Sequence, residues 1–203
     1  LATIGSITIE DNDVRRVELR AVSAATRITI QDNNGLETVD LRGLTAGSPV
    51  TIQNNGQLAS ASAEPSPAAE ETALSSATED RVSIQNNYEL VEVLLSSLDR
   101  VSSLTLTNNP FLGTLRLGSL VYASQVSIRN EGMVGDLDLQ RLETVENNFV
   151  VDNCLSLGPT LNLKDLVTVN SFQVTFTGVT SVGHRSMCDI GGTVTVSNNN
   201  LLE

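Results

Sequence analysis

A short pattern of apolar and polar residues returns along the chain about every 22 residues. In each copy two apolar residues flank Thr or Ser, one polar residue follows, and two residues that are mostly Asn or Asp come next. Clear copies occupy residues 7–12, 28–33, 50–55, 82–87, 104–109 and 126–131, and weaker copies occupy residues 151–154, 176–178 and 194–199. A repeat of nearly constant length is typical of a solenoid, in which every repeat packs only on its neighbours.

The alternation inside each copy predicts a β-strand, because successive side chains of a strand point to opposite faces. The second apolar residue of each copy sets the register, at Ile9, Ile30, Ile52, Ile84, Leu106, Ile128, Val151, Phe176 and Val196. A second alternating stretch follows most copies, and a third apolar pair, such as Leu142 with Val145, closes several repeats. We therefore predict an all-β fold: one domain over residues 1–203 that forms a right-handed parallel β-solenoid of about nine coils, each of about three short strands.

The two Asn columns are expected at the corner that follows the first strand of each coil. Asn tolerates left-handed backbone angles, and its amide can bond to backbone groups of a turn or to the amides stacked above and below it. The predicted structural corner ladder consists of Asn54, Asn86, Asn108, Asn130, Asn153 and Asn198.

Two outward faces of the solenoid are candidate interaction surfaces. The first follows the hydroxyl residues at the centre of the repeated pattern, namely Thr8, Thr29, Thr51, Ser83, Thr105, Ser127, Thr175 and Thr195, interrupted at Val150. The second follows the second strand of each coil and carries Glu18, Asp40, Arg116 and Asp138. A parallel sheet with one side in water is unusual unless it is covered, so a partner is expected on the first face.

One segment, at about residues 59–80, breaks the repeat. The interval from Ile52 to Ile84 is one period plus about ten residues, and the extra chain is rich in Ala, Ser, Pro and Glu. Such a composition buries too little apolar surface to offset the entropy of ordering, which predicts a disordered insertion that leaves the solenoid.

The composition argues against several classes of partner and against a transmembrane segment. The formal net charge of −12 argues against a nucleic-acid partner, which requires a basic surface. No apolar run is long enough for a transmembrane segment. Aromatic residues make up 3% of the chain, which disfavours a groove in which sugars stack on rings. Because residue 1 is Leu and the chain ends inside a repeat, we expect a processed or trimmed piece.

Catalytic patterns are missing from the sequence. His184 is the only histidine and has no motif around it, and no metal or cofactor is predicted. A calcium-dependent polysaccharide lyase of the β-helix type is the enzymatic alternative, since Glu10, Asp11, Asp13 and Asp32 gather near one corner. The other interpretation is that Asp11 and Asp32 replace Asn as acceptors for turn amides. We expect a protein that is not an enzyme.

The repeats resemble the receptor L-domain family. Residues 104–117 and 139–145 carry the resemblance, which extends over nearly the whole chain outside the insertion. It implies a leucine-rich-repeat-like β-helix of the kind found in receptor ectodomains and in fungal and protist cell-surface proteins. It also implies a location outside the cell or at its surface, where an anchor could lie in a segment not present here.

The two cysteines, Cys154 and Cys188, can form a disulfide or remain buried thiols. In a regular solenoid the two positions lie on different sides of the coil, but the irregular, Gly-containing segment 180–192 could fold back. An extracellular location favours the disulfide.

The sequence thus predicts a non-enzymatic recognition or adhesion protein that binds a protein or glycan at the cell surface through the lateral faces of the solenoid. The alternatives are a structural protein that assembles end to end through its open strand edges, and the lyase.

Overall fold

The computed structural model describes residues 3–22, 24–41, 48–62, 81–96, 98–132, 135–183 and 189–199. These residues form β-strands joined by short turns, and among them no helix could span a membrane. The strands are β1 (Thr3–Glu10), β2 (Arg16–Glu18), β3 (Ala24–Gln31), β4 (Thr38–Asp40), β5 (Val50–Gln53), β6 (Ser60–Ser62), β7 (Arg81–Gln85), β8 (Glu92–Leu94), β9 (Arg100–Thr107), β10 (Thr114–Arg116), β11 (Tyr122–Arg129), β12 (Gly135–Asp138), β13 (Thr144–Asp152), β14 (Leu157–Asn162), β15 (Thr168–Thr175), β16 (Ser181–Gly183), β17 (Asp189–Ile190) and β18 (Val194–Ser197).

The strands form two parallel sheets, which confirms the predicted β-solenoid. The first sheet has ten strands in the order β1-β3-β5-β7-β9-β11-β13-β15-β17, with β18 also paired to β15. The second sheet has eight strands in the order β16-β14-β12-β10-β8-β6-β4-β2, so the chain makes seven turns between the first and last strands of this sheet. This number is slightly smaller than the predicted number of coils, about nine.

Each coil holds two strands rather than the predicted three. The predicted third strand is continuous with the first strand of the next coil, as in β9, which contains Val101 as well as Leu104 and Leu106. All three side chains are buried, so the whole strand packs on the core. The chain needs a corner at only two places in each coil, after each strand.

Aliphatic columns fill the space between the sheets. In the first sheet one column runs through Ile30, Ile52, Ile84, Leu106, Ile128, Val151 and Val174, all 0–1% exposed. The second sheet adds a column from Val17 to Leu161. Burial of one such side chain contributes about 1.5–3 kcal/mol to the free energy of folding. Because a close-packed core of constant width needs side chains of similar size, Val, Ile and Leu fill the columns.

Tight corners join the strands of the coils in the described part of the chain. At the first corner a buried Leu donates its main-chain N–H to the residue three positions earlier, as in Leu90 to Asn87 at 3.2 Å and Leu112 to Asn109 at 3.0 Å. At the second corner Leu120 makes the same bond to Leu117 at 2.9 Å. The buried leucines therefore serve both the core and the turns.

The segment predicted as an insertion begins with ordered structure. Ser60–Ser62 forms strand β6, which pairs with β4 and β8, so the second strand of the third coil is present. The prediction was wrong for these residues because small side chains of low hydrophobicity still suffice for a strand held between two neighbours. The remainder of the insertion, residues 63–80, lies outside the described residues.

Candidate functional site

The hydroxyl residues of the first candidate face lie in one column across the first sheet. Pairing places Thr8, Thr29, Thr51, Ser83, Thr105 and Ser127 on successive strands, followed by Val150, Gln173 and Thr195. Most of these side chains are half-buried by their neighbours along the column. The outer face of the first sheet thus presents an array of hydrogen-bonding side chains that is interrupted at Val150.

Thr175 is not a member of this column. It pairs with Asp152 and Ser197, two positions further along the strand, and it donates a hydrogen bond to the Asp152 carboxylate while only 5% exposed. Phe176 occupies the left-handed corner position, with φ 52°, that Asn or Asp holds in every other coil. The predicted register was wrong in this repeat because an apolar residue stands where the pattern has Asn.

The outer face has a distinctive charge between β3 and β11. The five strands β3, β5, β7, β9 and β11 contain Arg27, Arg81, Arg100 and Arg129 and no Asp or Glu. All four arginines are exposed. Acidic residues resume on the flanking strands, with Glu10 on β1 and Glu146 and Asp152 on β13.

Polar contacts order the edges of this face. Gln53 donates to Gln31 at 3.0 Å, and Gln31 donates to Glu10 at 3.0 Å, which links three strands. The guanidinium of Arg100 lies 4.2 Å from the ring centre of Tyr122, a cation–π contact. A hydrogen bond to Glu146 raises the pKa of the Tyr122 phenol, so Tyr122 stays a neutral donor.

The second candidate face contains a shallow cleft of about 290 Å³ at its N-terminal end. Its lining residues are Arg16, Glu18, Arg20, Thr38, Val39, Asp40, Ser60 and Ser62. The cleft forms because the side chains of Ser60 and Ser62 on β6 are shorter than those of Arg16 and Glu18 on β2 in the same sheet. The charges inside it pair with each other: Arg16 contacts Glu18 at 3.2 Å and Arg20 contacts Asp40 at 2.5 Å. The arginines of this cleft are therefore already occupied by carboxylates.

The other predicted residues of the second face continue in the same column. In the parallel register Glu18 on β2 lies opposite Asp40 on β4, and further along the column Arg116 on β10 lies opposite Asp138 on β12. Leu94 lies between the two pairs, so the column is not uniformly charged.

The predicted corner ladder lies on the outside of the first corner. Asn54, Asn86, Asn108, Asn130, Asn153 and Asn198 all have φ between 53° and 59°. Each of the first five donates its side-chain amide to the residue on the preceding coil, at 2.8–3.1 Å, beginning with Asp32. The ladder thus combines the backbone freedom of Asn with amide stacking.

A second ladder, buried beside the core, was not predicted as a separate structure. Its members Asn33, Asn55, Asn87 and Asn109 are 0% exposed. The side-chain oxygens of Asn55, Asn87 and Asn109 each accept bonds from the main-chain N–H and the side-chain amide of the preceding member, at 3.1–3.2 Å. The same amides donate to two carbonyls, as Asn87 does to Ile52 and Gln85. The signal for it was the second Asn of each copy.

Other residues replace Asn in the later coils of this inner ladder. Glu131 takes the next position, where its Oε1 accepts from the Asn109 amide at 3.0 Å, and Cys154 and Thr177 follow. Glu131 is 3% exposed, and its Oε2 is buried without a hydrogen-bond partner among the described residues. Burial raises the pKa of Glu131 to about 8 and that of the Cys154 thiol to about 12. Both groups are therefore neutral parts of the core.

Two predicted features fall partly outside the described residues. The thiol of Cys154 is buried and contacts the Asp152 carbonyl at 3.4 Å. Cys188 lies outside the described residues, as does His184, so the pairing itself stays a prediction.

Asp11 and Asp32, in the acidic corner of the first two coils, occupy the left-handed position that Asn holds in most later coils. Asp32 accepts from Asn54 in the outer ladder, and Asp11 has the same left-handed φ, 52°. Among the described residues no group of three His, Cys, Asp or Glu side chains is placed to hold an ion.

Exposed apolar side chains gather near the first corner from the coil of β7 onward. Tyr88, Val91, Phe111, Leu155 and Phe176 are 49–67% exposed and lie at or shortly after the ladder positions. The sequence reasoning missed them because a turn position does not show by alternation which way a side chain points.

Comparison of the chain with protein-family models, with curated proteins and with solved structures gives no match.

Proposed function

We propose that the protein is a non-enzymatic recognition or adhesion protein of the extracellular space or cell surface. It binds a protein or glycan through the outer face of the first sheet. The observation that supports this most is the exposure of that face on a wide parallel sheet, since parallel sheets are usually covered on both sides. A lateral surface of this kind is what solenoids use to bind partners. We also propose the relationship to receptor L-domains implied by the repeats.

The location of the perturbed ionisable groups supports a role without catalysis. Catalytic acids and bases with shifted pKa values lie in clefts where they can contact substrate. Here the raised pKa values of Glu131 and Cys154 belong to side chains that are 3% and 0% exposed inside a ladder. In the cleft of the second sheet the charges pair with each other.

A binding screen tests the proposal. The purified protein is probed against arrays of extracellular proteins and surface glycans, and each binder is retested with Thr51→Glu/Thr105→Glu, which places two charges on the first face. The matched control is Thr114→Glu/Thr160→Glu on the second sheet. We expect the first variant to lose binding and the control to keep it. The absence of any binder, or equal loss in both variants, would contradict the proposed face.

End-to-end assembly is a second candidate, favoured by one observation. Val194 and Val196 on β18 are 49% and 38% exposed, although the residues they pair with on β15, Phe172 and Val174, are 3% and 0% exposed. A further strand beyond β18, supplied by β1 of another copy, would bury them. Light scattering over a concentration series tests this: a mass that rises above 21.6 kDa supports assembly, and a constant mass at that value contradicts it.

A further inference from the structure

We propose that the partner of the first sheet is an acidic polysaccharide, bound on the basic face formed by Arg27, Arg81, Arg100, Arg129 and the hydroxyl residues between them. This inference rests on the proposed function and specifies the chemistry of the partner.

The sign of the charge is the first argument. The whole chain carries a formal net charge of −12, yet the strands from β3 to β11 in the first sheet hold four arginines and no carboxylate. Acidic groups surround this area rather than enter it. An arrangement that concentrates positive charge on one face of an acidic protein attracts anions to that face.

The arginines are also available for a ligand. Arg27, Arg81 and Arg129 are exposed and form no ion pair with a described residue, in contrast to Arg16 and Arg20 on the second sheet, which contact Glu18 and Asp40. Arg100 is held over the Tyr122 ring. A guanidinium presents a planar set of donors that matches a carboxylate or a sulfate.

The spacing indicates a linear polymer rather than a single anion. Val50 pairs with Ile28 on one side and with Val82 on the other. Arg27 and Arg81 directly precede Ile28 and Val82, so they lie in one column, two strands apart. At the usual strand spacing this separates their backbones by about 10 Å. Such positions do not converge on one small ion, but they can contact anionic groups that recur along a chain. Thr29, Thr51 and Ser83 lie beside them and can bond to hydroxyl groups of sugars.

The face lacks the anchors that other macromolecules use. Protein interfaces depend on large apolar or aromatic residues at their centre, and none of the exposed large apolar residues belongs to β3, β5, β7, β9 or β11. Single-stranded nucleic acids stack their bases on aromatic rings. The one aromatic residue of these strands, Tyr122, already has the Arg100 guanidinium over its ring. A polar, polyanionic chain of sugars fits the face better than either.

Binding measurements with defined polymers test the proposal. The probes are polygalacturonate and dextran sulfate, with neutral dextran, polyglutamate and single-stranded DNA as comparisons, each titrated at low and at raised salt. The variant is Arg27→Gln/Arg81→Gln. The matched control is Arg116→Gln/Arg141→Gln, which removes the same charge from exposed positions elsewhere. Circular dichroism checks that both variants fold.

We expect at least one acidic polysaccharide to bind, dextran not to bind, and raised salt to weaken binding. Arg27→Gln/Arg81→Gln should weaken it about tenfold, as the product of two losses of about threefold, a usual size for an exposed ion pair. The control should change it less than about twofold. Failure of both acidic polysaccharides to bind, tighter binding of polyglutamate or DNA, or equal loss in the control would overturn the inference. If the array screen still finds a partner for the first face, the proposed function stands without this ligand class.

Discussion

Glu131 offers a quantitative test of the inner ladder. In the Asn members the side-chain nitrogen donates to a carbonyl of the preceding coil and to one of its own, and Cys154 likewise contacts the carbonyls of Ile128 and Asp152. The equivalent carbonyls for Glu131 are those of Leu106 and Arg129. A carboxylate has no donor for them, whereas a protonated carboxyl has one. The ladder therefore favours the protonated form.

The magnitude follows from the pKa. Glu131 has a pKa of about 8 in the folded protein against an ordinary value of 4.5, because burial outweighs the two bonds from Asn109. Between these values the folded state holds a proton that the unfolded state has lost, so the free energy of unfolding falls as pH rises. At about 1.4 kcal/mol per pH unit, the loss reaches up to about 5 kcal/mol at and above pH 8. The nearby Cys154 thiol stays neutral throughout, and the Asp152 carboxylate accepts a bond from Thr175.

Glu131→Gln replaces the acid by an amide of the same length. We expect the variant to match the wild type within about 1 kcal/mol near pH 4.5 and to be more stable by up to about 5 kcal/mol above pH 8, as measured by urea denaturation across pH. Glu89→Gln, at an exposed position, is the control and should change stability by less than about 0.5 kcal/mol at every pH. Infrared spectra of the wild type near neutral pH should show a protonated carboxyl band that Glu131→Gln lacks. A stability difference between Glu131→Gln and wild type that does not vary with pH would refute the reasoning.

Three further predictions test the corners and the core. Asn87→Ala should cost about 3 kcal/mol or more in urea denaturation, because it removes the acceptor of the buried Asn55 main-chain N–H and the side-chain donor to the carbonyls of Ile52 and Gln85. Asn86→Gly keeps the left-handed corner and should cost less than about 1 kcal/mol; equal losses would contradict the inner ladder. Gly132→Ala should destabilise strongly, since its Cβ would lie 1.8 Å from the Pro110 carbonyl oxygen, whereas Gly113→Ala, with its nearest neighbour at 3.8 Å, should be tolerated in a thermal melt. Cys154 should resist alkylation in the native protein and react in denaturant, as read by mass spectrometry, because its thiol is buried with a pKa of about 12; rapid native labelling would place it outside the ladder.

The period of the pattern was sufficient to predict the fold. Alternating Val, Ile and Leu at a constant interval leave few other ways to bury the apolar residues, so the two parallel sheets followed. The eighth copy misled the register because the residue at its corner, Phe176, looks like a core residue. The local pattern cannot tell a corner residue from a core residue. Only the pairing of Thr175 with Ser197 on β18 shows that the strand ends before Phe176.

The candidate site could also be predicted in part from the repeated pattern. Alternation identified the outward hydroxyl column but not the basic face that the arginines beside it form. It could not show that the inner Asn of each copy points into the core, because both Asn residues belong to one corner and only their backbone angles separate them. The role of Glu131 required the neighbouring coils, since its partner Asn109 is 22 residues away.

The inner ladder and the basic face occupy the same part of the solenoid, which connects the stability of the fold to the proposed binding. The corners after β3, β5, β7 and β9 contain Asn33, Asn55, Asn87 and Asn109, the four members of the inner ladder that have an amide side chain. Each of their main-chain N–H groups is bound to a side chain on the next coil, which fixes the register at the end of every strand. The column positions of the arginines are then fixed as well. A ligand that contacts several of them gains affinity because little ordering is left to occur on binding.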